Sequence, residues 1–375
     1  MTRRPLGWAA LATVLAVMGA CSSGSSSPSS SPPSSSVPAS IPPVSAPGTT
    51  SASASPSTAA AAAAPSTQGP PGPLYVVPTT TADPAAPSPA TPYYAEPPGG
   101  ASNGLLFVFL PGTGAGPPCC RDVLDEASAI GFHAIGLTYS NSVTVATRCA
   151  SNLTCYGTVR RNTLDGSDSS SDSDVTPGDS VQQRLVALLD YLARAYPSGG
   201  WGDFVAGGSP RWSSIVIGGH SQGGGLAAFT ATVDPVAGVV MFSSPEDATA
   251  GAVPHPAAWL SQTSMTPVAR YAGFDSVSDP YHLRVVTDWA TLGLGQFGAA
   301  VSVDGAAPPY GGSHELTTEV PPRAVGAGRS GTHDESAVDV ATPLCPDGTP
   351  QFRAVWRYML EVAGGLQVTS GATGC

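Results

Sequence analysis

The stretch Ser213-Ser214-Ile215-Val216-Ile217-Gly218-Gly219-His220-Ser221-Gln222-Gly223-Gly224-Gly225 decides how the rest of this chain is read. An apolar, β-branched run ends in Gly219-x-Ser221-x-Gly223, and Leu226-Ala227-Ala228-Phe229 then continues in a helical pattern of small residues. Strand, sharp turn and helix form the context in which a G-x-S-x-G pattern presents a serine as a nucleophile. The turn forces the serine into a strained backbone conformation, and only glycine-sized neighbours two residues to either side avoid a clash there. In a chain with 44 glycines the bare pattern arises by chance, so the flanking elements carry the reading.

Outward from this turn, apolar runs alternate with amphipathic stretches. Leu105 to Leu110 has buried-strand length and stops at Pro111-Gly112. A helical pattern covers Asp122 to Ile130, and Phe132 to Tyr139 reads as the next strand. Residues 140–178 read as irregular, polar and rich in Ser, Asp and Gly. Asp179-Ser180 caps an amphipathic helix over Val181 to Tyr196, with Leu185, Leu188, Leu189 and Leu192 on one face. Beyond the serine turn come strands at Val236–Phe242 and Pro267–Phe274, then a helix over His282–Leu292. A strand at Ala299–Val303, a short extra strand over Glu315–Val320 and a last helix at Phe352–Val362 complete the order. The alternation predicts an α/β fold, a mostly parallel central sheet with helices on both faces. Functional groups then gather at the carboxyl ends of the strands.

The first 95 residues predict something different. Arg3 and Arg4 followed by an apolar run from Leu6 to Met18 read as an export signal over residues 1–21, too short to span a bilayer as a mature helix. The run ends Met18-Gly19-Ala20-Cys21, which resembles the lipobox of bacterial lipoproteins. That resemblance implies cleavage before Cys21, lipid attachment to its sulfur, and a cell-membrane anchor on the extracytoplasmic side. Residues 22–95 are almost wholly Ser, Pro, Ala, Thr and Gly, and predict a disordered tether. The folded domain is then expected over 96–375, long enough for one sizeable core.

The formal charge of −11 and the absence of a basic patch argue against nucleic acid as a partner. Besides Cys21 there are six cysteines, an even number that reads as disulfides in an exported domain. Cys149 and Cys155 close a short loop and are expected to pair. Cys119 and Cys120, being adjacent, are expected to reach Cys345 and Cys375 instead. No Cys-x-x-Cys or neighbouring His pair supports zinc, and the Asp/Ser run from Asp165 to Asp174 lacks the spacing of a calcium loop. No metal and no cofactor are expected.

A serine hydroxyl needs a histidine to take its proton and an acid to orient the imidazole. With Gly219-His220-Ser221-Gln222-Gly223 on the turn, the chain resembles the α/β-hydrolase superfamily over residues 100–365, and the Ser-Gln-Gly version is similar to secreted bacterial esterases. The resemblance implies the chain order serine, acid, histidine. Asp279 is the favoured acid, ahead of Asp275, since both follow the second strand after the turn. His333 is the favoured base, ahead of His314, while His220 suits a packing role beside the serine. The amide of Gln222 is one oxyanion donor. Thr113, with Gly114 next in line, is the expected second, from the loop after the first strand. The implied activity is hydrolysis of carboxylic esters, small or polymeric, through an acyl-enzyme by a membrane-anchored serine esterase. A non-catalytic binding lipoprotein on the same fold, or an acyltransferase using the same triad, are the alternatives. The sequence leaves the oligomeric state open.

Overall fold

The Ile215–His220 segment is buried along its whole length, as a strand must be when helices cover both faces of its sheet. In the computed structural model, which describes residues 69–85, 89–371 and 374–375, it lies near the middle of a nine-stranded sheet. The elements in chain order are β1 (Tyr75–Val77), α1 (Thr79–Ala82), β2 (Tyr93–Glu96), β3 (Leu106–Leu110), α2 (Arg121–Ala129), β4 (His133–Gly136), α3 (Val145–Cys149) and α4 (Cys155–Asp165). There follow α5 (Val181–Ala195), a small hairpin of β5 (Val205–Ala206) and β6 (Ser209–Pro210), β7 (Ile215–His220), α6 (Gln222–Val233) and β8 (Gly238–Phe242). The chain ends with β9 (Tyr271–Ser276), α7 (His282–Leu292), β10 (Val301–Ser302), β11 (Glu315–Thr318), α8 (Gly331–Asp334) and α9 (Arg353–Gly364).

The sheet order is β1-β2-β4-β3-β7-β8-β9-β11-β10. Only the β1–β2 and β2–β4 pairings are antiparallel, and every other pair in this sheet is parallel. Strand alternation divides the core between two faces. Leu106, Val108 and Leu110 of β3 pack with Leu185, Leu189, Leu226 and Trp259 on one face. Phe107 and Phe109 pack with Leu124, Trp356 and Met359 on the other. Helices α5 and α6 thus cover one face, and α2 and α9 the other. Each fully buried Leu or Phe adds about 1.5–3 kcal/mol, so neither face dispenses with its helices. The expected α/β class is borne out.

Four expectations are corrected. The tether does not run to residue 95, because β1 and β2 add two strands to the sheet, with Tyr93 and Ala95 fully buried. Residues 140–178 are not wholly irregular: α3 and α4 lie within them, and α4 buries Tyr156, Val159, Arg160 and Asn162. The strand expected to end at Phe274 runs on to Ser276, which takes Asp275 into the sheet. The disulfides join Cys149–Cys155 as expected, but also Cys119–Cys120 and Cys345–Cys375. The reason is local. Cys119 closes a 3₁₀ turn and Cys120 opens α2, so the two lie at the bend between these elements. The chain terminus, meanwhile, returns to within 5.5 Å of Cys345, Cα to Cα. The export signal, Cys21 and the tether up to residue 68 lie outside the described residues. Among the described residues no helix is long and apolar enough to cross a membrane.

Candidate active site

Ser221 sits between β7 and α6 with φ of 53°, a left-handed conformation unfavourable for any residue with a Cβ. Its amide N–H donates to the Phe242 carbonyl at 2.9 Å, fixing the turn to β8. A Cβ on Gly219 would lie 2.4 Å from the Leu110 carbonyl oxygen, and one on Gly223 only 1.9 Å from the same atom. The two glycines are therefore required by the approach of β3, which also delivers the next loop.

That loop, Pro111 to Ala115, is held from below. Tyr139 Oη donates to the Pro111 carbonyl at 2.9 Å, and Asn141 Nδ2 donates to the carbonyls of Gly112 at 2.7 Å and Ala115 at 2.9 Å. Thr113 Oγ1 donates to Gln222 Oε1 at 2.9 Å, joining the loop to the start of α6. The Gly114 amide is spent on the Asn141 carbonyl at 3.0 Å, so Gly114 does not serve as the spare donor. The Gln222 amide, in the first turn of α6, has no carbonyl four residues back to meet, and the helix dipole adds to its pull on negative charge.

Asp279 and His333 arrive from the other side of the elbow. Asp279 lies in the turn between β9 and α7, and His333 in α8 beyond β11. His333 Nδ1 and Asp279 Oδ2 are 2.7 Å apart, and the other carboxylate oxygen accepts the Tyr281 amide at 2.7 Å. Burial alone would raise the Asp279 pKa, but its bond to His333 and the Tyr281 amide hold it below the usual range. Burial likewise pulls His333 down, yet the Asp279 hydrogen bond and charge, with Glu246 and Asp334 behind them, bring it up to about 9. His220 Nε2 donates to the His333 carbonyl at 2.9 Å. Burial and the neighbouring His333 take the His220 pKa down to about 3, so that ring is neutral with its proton on Nε2.

Ser221 and His333 line one cavity of about 330 Å³, with Thr113 and Tyr281 on its wall. Two sequence candidates fall outside this arrangement. Asp275 belongs to β9 and pairs with His282 at 2.8 Å, not with His333. His314 precedes β11 and stacks on Phe297, with 3.9 Å between ring centroids. Three residues had no signal in the sequence reading. Glu246, in the loop after β8, accepts the Ser221 hydroxyl at 3.3 Å through Oε1 and lines the cavity. Burial raises its pKa, with His333 and Arg284 opposing. Arg160 forms a two-pronged pair with Asp247, both distances 2.5 Å, and donates from Nη1 to the Gln222 carbonyl at 3.1 Å. The buried residues of α4 mix apolar Tyr156, Val159 and Leu164 with polar Arg160, Asn162 and Thr163, so no clean apolar stripe marks the helix in the sequence. Among the described residues no group of His, Cys, Asp and Glu has a metal-holding arrangement.

A mostly parallel sheet with helices on both faces and a strained serine after its central strand is the arrangement of the α/β-hydrolase fold. Among solved structures the chain is similar to a dienelactone hydrolase from Anabaena variabilis ATCC 29413, with 15% identity, TM-score 0.34, and 70% of this chain and 91% of that one covered. An acetyl xylan esterase from Aspergillus awamori follows at 11% identity and TM-score 0.32, over 59% of this chain and 80% of that one. A carboxylesterase from Mesorhizobium loti aligns at 11% identity and TM-score 0.27, over 60% and 84%. No protein-family model and no curated protein matches the sequence.

Proposed function

We propose that the protein is a serine hydrolase that cleaves carboxylic esters through an acyl-enzyme. The observation that carries this reading is the 2.7 Å Asp279–His333 pair opening on the same cavity as a serine held at φ of 53°. Ser221 Oγ turns from Glu246 towards His333 and attacks the ester carbonyl while neutral His333 takes its proton at Nε2. Asp279, bonded at Nδ1, fixes the ring and stabilises the imidazolium. The oxyanion is met by the amides of Gln222 and Thr113, neither of which is drawn into a bond elsewhere among the described residues. Collapse of the tetrahedral adduct passes the His333 proton to the departing alcohol and leaves the acyl group on Ser221. Water, activated by the same histidine, then frees the acid.

A chromogenic short-chain aryl ester tests this. Wild type is expected to turn it over with a burst of alcohol equal to enzyme, and Ser221→Ala to lose at least about 10³-fold in kcat. Undiminished turnover by a folded Ser221→Ala variant rules the mechanism out. The surface anchor is part of the same proposal and rests on Met18-Gly19-Ala20-Cys21. A Cys21→Ser variant that still partitions into the membrane fraction and still incorporates labelled fatty acid would remove it.

A further inference from the structure

Among the described residues Glu246 is the carboxylate that touches the serine hydroxyl, and the proposed reaction gives it no task. Its Oε1 accepts from Ser221 at 3.3 Å, its other oxygen lies 4.0 Å from Arg284 Nη2, and its side chain keeps only 16% of its exposure. When Ser221 turns its proton to His333, Oε1 loses its protein donor at the cavity wall. A carboxylate at 16% exposure binds a well-placed donor more strongly than one fully in water. A donor on the substrate takes the place that the Ser221 hydroxyl leaves.

The position of Glu246 says where such a donor lies. Strands β3 and β8 flank β7 on opposite sides, so the oxyanion loop and Glu246 approach Ser221 from opposite sides. The ester's carbonyl oxygen points to Gln222 and Thr113, and Glu246 faces the remaining substituents. The rest of the wall limits their character. Apolar side chains in the cavity are confined to Ala115, Val338, Tyr281 and Cys119, and the remaining lining is hydroxyl, charged, imidazole and glycine surface. None of the large exposed apolar side chains among the described residues lines it, so a long acyl chain finds no apolar track to follow.

Building on the serine-hydrolase reading, we infer that the site selects short-chain esters bearing a hydrogen-bond donor, a hydroxyl or an ammonium group, beside the scissile carbonyl, with Glu246 as the acceptor that recognises it. A carboxylate in that place meets Glu246 directly and is disfavoured. Gln at 246 keeps an acceptor oxygen but removes the charge, so it separates a hydroxyl substrate from an ammonium one.

The test follows loss of ester by chromatography for ethyl acetate, ethylene glycol monoacetate, ethyl glycolate, ethyl glycinate, monoethyl succinate and ethyl octanoate, with fluorophosphonate labelling run alongside. In wild type, kcat/KM for at least one donor-bearing ester is expected to exceed that for ethyl acetate by about tenfold or more. Monoethyl succinate and ethyl octanoate are expected below ethyl acetate. Glu246→Leu, folded by circular dichroism, is expected to lower the donor preference by about tenfold, leaving only what the electron-withdrawing substituent itself gives. Glu246→Gln, the milder change, is expected to keep it for hydroxyl esters and lose it for the glycinate. A preference unchanged in both variants, or octanoate exceeding acetate in wild type, overturns the inference while labelling leaves the serine-hydrolase reading intact. Absence of both label and turnover overturns the two together.

Discussion

Replacing Arg160 by Met is expected to cost about 3–5 kcal/mol, because it leaves Asp247 as an uncompensated charge in the core. The guanidinium is 2% exposed and the carboxylate 3%. Asp247 keeps Trp259 Nε1 as a donor at 2.8 Å, but its backbone amide is already committed to Asp288 at 2.7 Å. One neutral hydrogen bond does not replace two charge-assisted ones. For a domain of this size a kcal/mol moves Tm by about 2 °C, so thermal melting should fall by about 6–10 °C. The same arginine donates to the Gln222 carbonyl, and a Cβ on Gly225 would lie 2.2 Å from its Nη2, so the start of α6 is built around it. Ester turnover by the folded Arg160→Met protein should therefore drop in kcat more than in KM, as the Gln222 amide loses its setting. Adding Asp247→Leu removes the stranded charge and should recover at least half of the lost Tm. The assay is thermal melting of all three variants followed by steady-state kinetics. A single variant melting within 2 °C of wild type, or a double variant less stable than the single, refutes the reasoning.

Other perturbations follow from the same geometry. Since His333 stands at about 9 and only its neutral form accepts a proton, kcat/KM should rise with pH along an acid limb near 9. Glu246→Gln should shift that limb to lower pH, read from pH–rate profiles. The raised value also favours the folded state below the unfolded histidine's ordinary range, and this contribution should fade in urea melts as pH climbs through about 9. Gly223→Ala should fail to label with a fluorophosphonate and melt early, because the new Cβ meets the Leu110 carbonyl at 1.9 Å. Removing the Cys345–Cys375 bridge, which spans 30 residues, should cost about 3–4 kcal/mol in chemical denaturation on the chain-entropy account.

The sequence was a good guide wherever burial and periodicity coincided. The Ile215–Ile217 run, the Leu185–Leu192 stripe and the serine turn are apolar or glycine patterns with one structural solution, and they appear within a residue or two of their expected bounds. Counting strands from Ser221 brought Asp279 and His333 into range with Asp279 already favoured, whereas the extension of β9 to Ser276, which takes Asp275 into the sheet, is marked by no periodicity. Helix α4 was missed because its inward face interleaves Arg160, Asn162 and Thr163 with apolar residues; Arg160 is met by the distant Asp247, while Asn162 holds Ser173 in the loop that follows. β1 and β2 were missed because two short strands within a Pro- and Thr-rich stretch leave no run to find. Glu246 was illegible for the plainest reason. A single glutamate after a strand has no pattern, and only the fold brings it to Ser221.

Intact-mass spectrometry after fluorophosphonate treatment tests the central claim most directly. One adduct per wild-type molecule, mapped to Ser221, is expected, and none on Ser221→Ala. Asp279→Asn and His333→Ala should label at least about 10²-fold more slowly, while Asp275→Asn and His314→Ala keep an adduct on Ser221. A folded wild-type protein that takes no adduct, or takes it at a residue other than Ser221, contradicts the account.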